Sequence, residues 1–164
     1  TPMTQASDST LTITRKGTAR DAIALLKADH ELVQTLFDEY DKARSPSRKQ
    51  ALILQICAEL GVHMQIEEEI LYPEVSTLKA DTLLVAEATV EHAGIKDLIG
   101  QLEAADAITP LVDAQVKVLS EYVKHHVKEE HESMFPLVKA SSIDTHALGL
   151  RMVARKRKLL SLTA

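Results

Sequence analysis

Apolar residues recur every three or four positions along four long stretches of the chain, the spacing that gathers side chains on one face of a helix. Stepping alternately three and four residues gives the seam each stretch would turn inward. The first, from about Ala19 to Ala43, gives Ile23, Leu26, His30, Val33, Phe37 and Tyr40. The second gives Ile53, Ile56, Leu60, His63, Glu67 and Ile70, and the third Val85, Ala88, His92, Ile95, Ile99 and Leu102. The fourth gives Val112, Val116, Leu119, Val123, His126 and Glu130. Ser45-Pro46 and Thr109-Pro110 place a capping oxygen and a first-turn proline before the second and fourth helices, and Asp81 is a capping residue for the third, which runs to about Ala105. Helices two and four are predicted to stop near Tyr72-Pro73 and Phe135-Pro136, and a shorter fifth follows Asp144. No alternating run suggests a sheet. The expected fold is all-α: an up-down-up-down antiparallel four-helix bundle with a short C-terminal fifth helix. It divides into a flexible arm at residues 1–18, a bundle at 19–140, and a C-terminal helix with a basic tail at 141–164 packed on or near the bundle.

The seams are apolar except that each holds one histidine, and the second and fourth add a glutamate four residues later. A lone histidine on an apolar face is usually a hydrogen-bonded core residue. Four helices each placing one on the seam by accident has a probability of roughly one in a hundred, since two positions in seven face inward. An ionised carboxylate in a core costs many kcal/mol without a partner, so Glu67 and Glu130 call for a compensating cation, a protonated state or a water-filled pocket, and a metal would supply the cation.

The run from His63 to Pro73 aligns with that from His126 to Pro136 at an offset of 63, and Asp29-His30 aligns with Glu91-His92 at an offset of 62. The bundle therefore reads as two copies of one helical hairpin, each giving one histidine from its first helix and a histidine plus a glutamate from its second. Two half-sites suggest two metals, with Glu67 and Glu130 able to bridge them. Four imidazoles with two carboxylates suit Fe, Mn or Zn better than Ca or Mg. Six protein donors leave open positions for an exogenous ligand.

Composition agrees with helices packed on helices: 45% of residues are hydrophobic, with no Trp, two Phe and three Tyr. The single cysteine, Cys57, reads as a small buried hydrophobe. The first twenty residues are polar and no later segment approaches a membrane span, so a soluble, cytoplasmic protein is expected, with no membrane partner. The net charge is −5 although Arg151, Arg155, Lys156, Arg157 and Lys158 cluster in the tail, so the body is acidic, which argues against nucleic acid as the main partner. The basic cluster itself is able to touch a phosphate or an acidic surface, but reads first as opposing the negative end of a terminal helix dipole. No protein partner is identifiable.

These residues resemble the hemerythrin-like, or HHE cation-binding, family: His30 on the first helix, His63-x-x-x-Glu67 on the second, His92 on the third and His126-x-x-x-Glu130 on the fourth. The likeness spans about residues 20 to 160 and includes Tyr72-Pro73, Phe135-Pro136 and the stretch from Asp144 to Met152. The resemblance implies a non-haem centre of two iron ions with an oxo or hydroxo bridge, held by those six residues, that meets dioxygen, peroxide or nitric oxide. Mn or Zn are substitutes. Oxygen carriers of the family have a further histidine where this chain has Lys96 and an aspartate where it has His131, which argues against reversible oxygen carriage. The expected function is binding or sensing of dioxygen or a related small oxidant. Alternatives are an oxidoreductase consuming hydrogen peroxide or nitric oxide, or an iron-sensing or storage module. No catalytic residue beyond the ligands is identifiable. His125 and His131 lie one helical step off the fourth seam. Tyr40, Tyr72 and Tyr122 are candidates to lie near the metals as hydrogen-bond or redox partners, with packing the expected role of each, and Glu68, Glu69, Glu129 and Glu132 read as a solvated face that focuses cations.

Overall fold

A computed structural model describes residues 21–80 and 82–162. The expected arm at 1–18 and the proposed cap Asp81 lie outside the described residues. Helix α1 spans Ala22–Lys42 and α2 spans Pro46–Ile66, which continues through a π-helical turn at Glu67–Leu71 into α3, Tyr72–Thr77. Helix α4 spans Thr82–Glu103 and α5 spans Pro110–Glu129, which continues through a second π turn at Glu130–Met134 into α6, Phe135–Lys139. Helix α7 spans Thr145–Leu162. No strand occurs among the described residues.

The starts of the helices follow the capping chemistry. Asp21 accepts from the Ala24 N–H at 2.9 Å, Ser45 from Arg48 at 3.2 Å and Thr109 from Val112 at 3.3 Å, each satisfying an amide the helix leaves open. The ends of helices two and four differ from expectation, because neither proline stops its helix. An interior proline clashes with the carbonyl four residues back and donates nothing. Here the backbone widens first: the Tyr72 N–H bonds the Glu67 carbonyl and the Phe135 N–H bonds the Glu130 carbonyl, five residues back in each case. Pro73 and Pro136 then fall in the first turns of α3 and α6, where no amide is needed.

The four seams face one another. Every seam residue is buried except Val85, which is half-buried. Two apolar clusters fill the bundle, one built around Val33, Phe37, Ile56, Ile95 and Leu119 and the other around Leu26, Ile66, Leu71, Met134 and Phe135. The buried histidines and glutamates lie between them, so the bundle has apolar floors above and below one polar layer. Full burial of each such side chain contributes about 1.5–3 kcal/mol, which holds the helices around that layer.

Helix α7 is 18 residues long and packs on α1, α2 and the first π turn. It buries Leu148, Met152 and Leu159 in the second cluster, the one that also holds Val62, Ile66 and Leu71. Its basic residues do more than oppose a dipole. Arg155 donates to Glu69 at 2.7 and 3.0 Å, Lys156 to Asp29 at 2.6 Å, and Arg151 lies 3.7 Å from Glu74. Burial pushes the Cys57 thiol up to about 12, in keeping with an inert core residue. No helix among the described residues is long and apolar enough to cross a membrane.

Candidate metal centre

The six predicted residues converge. Their donor atoms form two groups, His30, His63, Glu67 and Glu130 in one and Glu67, His92 and His126 in the other, each with all its donors within 4.8 Å. Glu67 belongs to both. Its Oε1 lies 3.2 Å from His63 Nε2, 3.2 Å from His92 Nε2 and 3.6 Å from His126 Nε2. Glu130 Oε1 lies 3.2 Å from His30 Nε2 and 3.4 Å from His126 Nε2. Glu67 is 0% exposed and Glu130 1%. The π turns bear on this directly, since the two glutamates whose carbonyls accept the widened bonds also supply the carboxylates.

The outer nitrogens fix the state of the rings. His63 Nδ1–H donates to Asp29 at 2.9 Å, His126 Nδ1–H to Glu91 at 3.0 Å and His92 Nδ1–H to Glu68 at 3.2 Å. His30 Nδ1 lies 2.9 Å from His131 Nε2. With the outer nitrogens of His63, His92 and His126 protonated towards carboxylates, their Nε2 lone pairs point inward, and His30 Nε2 faces the same layer. They meet in pairs, His30 with His63 at 3.1 Å and His92 with His126 at 3.0 Å. Two neutral rings so arranged set lone pair against lone pair. Glu67 Oε2 and Glu130 Oε1 are also buried with no hydrogen-bond partner among the described residues. Opposed lone pairs and orphaned carboxylate oxygens in a dry layer are the complement of a cation, so these residues fit a metal.

Without a metal, protons take that part. Burial is the largest influence on His63 and disfavours its charged form, but the charge of Glu67 and the bonds to Asp29 and Glu67 outweigh it and raise the ring to about 10. His126 is likewise opposed by burial and raised to about 11 by the carboxylates of Glu130 and Glu67 beside it. Burial opposes ionisation of Glu67, yet the charge of His63 and the bonds from its neighbours hold its carboxyl well below the usual range. Both ring values stand above the ordinary 6.5, so the stability they contribute is complete below pH 6.5 and is lost as pH rises towards 10. Glu67, depressed below 4.5, contributes above pH 4.5 and loses that contribution as pH falls. The metal-stripped protein should therefore show its highest urea midpoint between about pH 4.5 and 6.5, with a clear fall by pH 9, since each tenfold gain in a ring's proton affinity on folding is worth about 1.4 kcal/mol. Urea titrations across that range with and without chelator check it.

Several neighbours went unassigned or were read differently from sequence. Asp29 and Glu91 each precede a seam histidine at matched points of the repeat, and each holds the ring of the helix opposite. That doubled acid-histidine pair was a usable signal. Glu68 is not simply part of a solvated face: one oxygen accepts from His92 and the other from Lys96 at 2.6 Å. His125 is exposed and lies 3.1 Å from Glu91 rather than in the cluster. Tyr40 donates to Asp113 at 2.8 Å, away from the cluster, and Tyr122 packs against Gly94. Tyr72 is the exception among the tyrosines, with its hydroxyl inside the polar layer, 3.1 Å from His92 Nε2 and 3.3 Å from His126 Nε2. Burial and both carboxylates push its phenol far above the usual range.

A cavity of about 20 Å³ adjoins the rings of His30, His63 and His126 and is otherwise lined mainly by Val33, Leu60, Met64, Ile95, Val123 and Val127. It shares His30, Val123 and Val127 with a surface groove of about 420 Å³ between α1 and α5, bordered by Lys27, Lys124, Lys128 and His131. Of the six candidate ligands, the groove borders His30.

A helical bundle with a buried cluster of histidines and glutamates able to hold cations defines a class of cation-binding bundle. Residues 21–138 match the family model described as the Hemerythrin HHE cation binding domain, and the chain belongs to that family. It is 30% identical over 139 residues to a protein named DNA nickase from Nostoc sp. strain PCC 7120, a match that covers 82% of this chain and 39% of that protein. The chain thus spans about two fifths of that relative's length. Among solved structures it resembles a Hemerythrin HHE cation binding domain-containing protein from Mycobacterium kansasii, with a TM-score of 0.74, 25% identity, and 87% of this chain and 88% of that one covered.

Proposed function

We propose that this chain is a non-haem di-iron protein that binds or senses dioxygen or a related small oxidant at a carboxylate-bridged metal pair. His30 and His63 hold one ion, His92 and His126 the other, and Glu67 and Glu130 lie between. The observation that carries this reading is the inward meeting of four histidine Nε2 atoms beside two orphaned carboxylate oxygens. Iron is favoured over Ca or Mg by the imidazole-rich donor set, with Mn or Zn as substitutes. Bound iron would supply the redox chemistry. The chain's own residues fix the ring tautomers, exclude bulk water and offer a cavity of about 20 Å³, room for one small molecule.

Nucleic acid is not proposed as the partner. The body is acidic, and Arg151, Arg155 and Lys156 pair with carboxylates of the bundle. The activity named for the Nostoc relative belongs to a longer protein.

Anaerobically reduced, iron-loaded protein mixed with dioxygen should give a charge-transfer band on a stopped-flow timescale. Ile95→Phe, which intrudes on the cavity, should slow that reaction about tenfold or more at unchanged iron content, the factor that about 1.4 kcal/mol of steric exclusion gives. Catalytic loss of added peroxide or nitric oxide would favour the oxidoreductase reading instead. Tight iron binding with silence in both assays would leave an iron-sensing or storage role.

A further inference from the structure

We propose that the groove between α4 and α5, on the outside of the second hairpin, docks a basic amphipathic helix of a partner protein. The first hairpin already holds such a helix. Helix α7 lies against α1, α2 and the first π turn, and its Leu148, Met152 and Leu159 share an apolar cluster with Leu25, Val62 and Ile66. Its Lys156 sits on Asp29 and its Arg155 on Glu69. The repeat, at offsets of 62 and 63, puts the matching face on α4 and α5, with Glu91 in the place of Asp29 and His125 in that of Val62. Among the described residues this second face lies open: Val90 is 73% exposed, Leu83 64% and Tyr122 49%.

Two adjoining hollows of about 360 and 440 Å³, both lined by Val90, Glu91 and His125, form one trough along α4 from Leu83 to Gly94. At the rise of an α-helix that stretch is about 17 Å, or three turns, the length over which a helix can lie alongside. Gly94 leaves room beside the Tyr122 ring, which a methyl group there would meet at 3.6 Å. Glu91 repeats the double duty of Asp29. Asp29 accepts from the His63 ring with one oxygen and from Lys156 with the other. Glu91 accepts from the His126 ring with Oε1, while its Oε2 lies 3.1 Å from the exposed ring of His125. A lysine or arginine of the docked helix takes the part of Lys156 at that oxygen.

Charge selects the occupant. The residues lining the trough include Glu87 and Glu91 and no lysine or arginine. A second copy of this chain would bring the same acidic face, and the apolar side of its α7 is already buried against its own first hairpin. A separate basic helix meets neither obstacle: apolar anchors at three-four spacing enter beside Val90 and Tyr122, and flanking cations meet the carboxylates. Compared with the first hairpin, Val90 and Tyr122 replace Ala28 and Glu59, while Glu87 and His125 replace Leu25 and Val62. The apolar strip is thus narrower than the one under α7 and edged by charge, which suits a partner that comes and goes.

The test uses the full chain and a fluorescently labelled peptide of about 18 residues, with leucines at three-four spacing on one face and lysines on the other, followed by anisotropy. Saturable binding of one peptide per chain is expected. Val90→Asp and Glu87→Lys should each weaken it about tenfold or more, whereas Leu54→Asp, at an exposed leucine of α2, should change it less than about twofold. A peptide of the same composition in scrambled order should bind about tenfold more weakly or worse. Both groove substitutions fall on exposed side chains, so the parent's circular dichroism should persist. Absence of saturable binding, equal binding of the scrambled peptide, or binding untouched by Val90→Asp overturns the proposal. So does self-association, seen by sedimentation at the same concentrations, that Val90→Asp abolishes, since the groove would then belong to a second copy. Binding is expected on chelator-treated and iron-loaded protein alike, so the outcome stands apart from that of the metal pair.

Discussion

Glu67→Ala and Glu130→Ala should each lower bound iron from about two ions per chain to fewer than one, because each carboxylate lies between the half-sites and its loss weakens both. Glu67 has the larger effect, since its Oε1 approaches three of the four rings whereas Glu130 Oε1 approaches two. The same substitution removes the larger of the two charges that raise His63, leaving Asp29 as the counter-ion of that ring. Breaking a buried pair from one side costs about 3–5 kcal/mol, so the variant should also unfold at lower urea when metal-free. Glu67→Gln separates shape from charge: it fills the same volume and should lose iron nearly as completely while disturbing packing less. Mass-spectrometric iron content and urea midpoints with and without chelator report the two effects separately. A Glu67→Ala protein that keeps two irons would remove this carboxylate from the centre.

The fold and the six candidate ligands were legible because one physical rule governs both. A three-four step that gathers Ile23, Leu26 and Val33 on a face also delivers His30 there, and an offset of 63 repeats His63 and Glu67 as His126 and Glu130. What escaped was local backbone relief and contact between helices. Pro73 and Pro136 signal a stop when only the proline rule is applied, and nothing in single-residue preference announces that a π turn one step earlier removes the clash. Periodicity says which face is inward, not which neighbour lies opposite, so Asp29 and Glu91 were seen in the repeat without their partners His63 and His126. Tyr72 looked like packing because it stands off the seam as the three-four step draws it. The widened turn that begins at Glu67 ends at Tyr72, and its hydroxyl enters the polar layer. The basic tail likewise needed the position of α7 before Lys156 could be paired with Asp29.

That last pair links the outermost helix to the centre and separates two roles of one carboxylate. Asp29 is 7% exposed and accepts from His63 at 2.9 Å and from Lys156 at 2.6 Å. Burial works against its ionisation, but the bond and charge of His63, joined by those of Lys156, hold its carboxyl below the usual range. Asp29→Ala should weaken iron binding by about 10–100-fold, the usual cost of removing the group that orients a ligating histidine. It should also destabilise the metal-free protein by about 3 kcal/mol, because a raised His63 loses its outer acceptor and α7 loses an anchor. Lys156→Met keeps the ring bond and removes only the lysine. Its charged end is partly solvated, so about 1 kcal/mol of stability and little iron affinity should go. Competition titrations with a chromogenic chelator, alongside urea midpoints, give both quantities for each variant. If Lys156→Met weakened iron as much as Asp29→Ala, the seating of α7 rather than the Asp29–His63 bond would control the metal. The expected split, with both properties falling for Asp29 and stability chiefly for Lys156, places that control in the orientation of one imidazole.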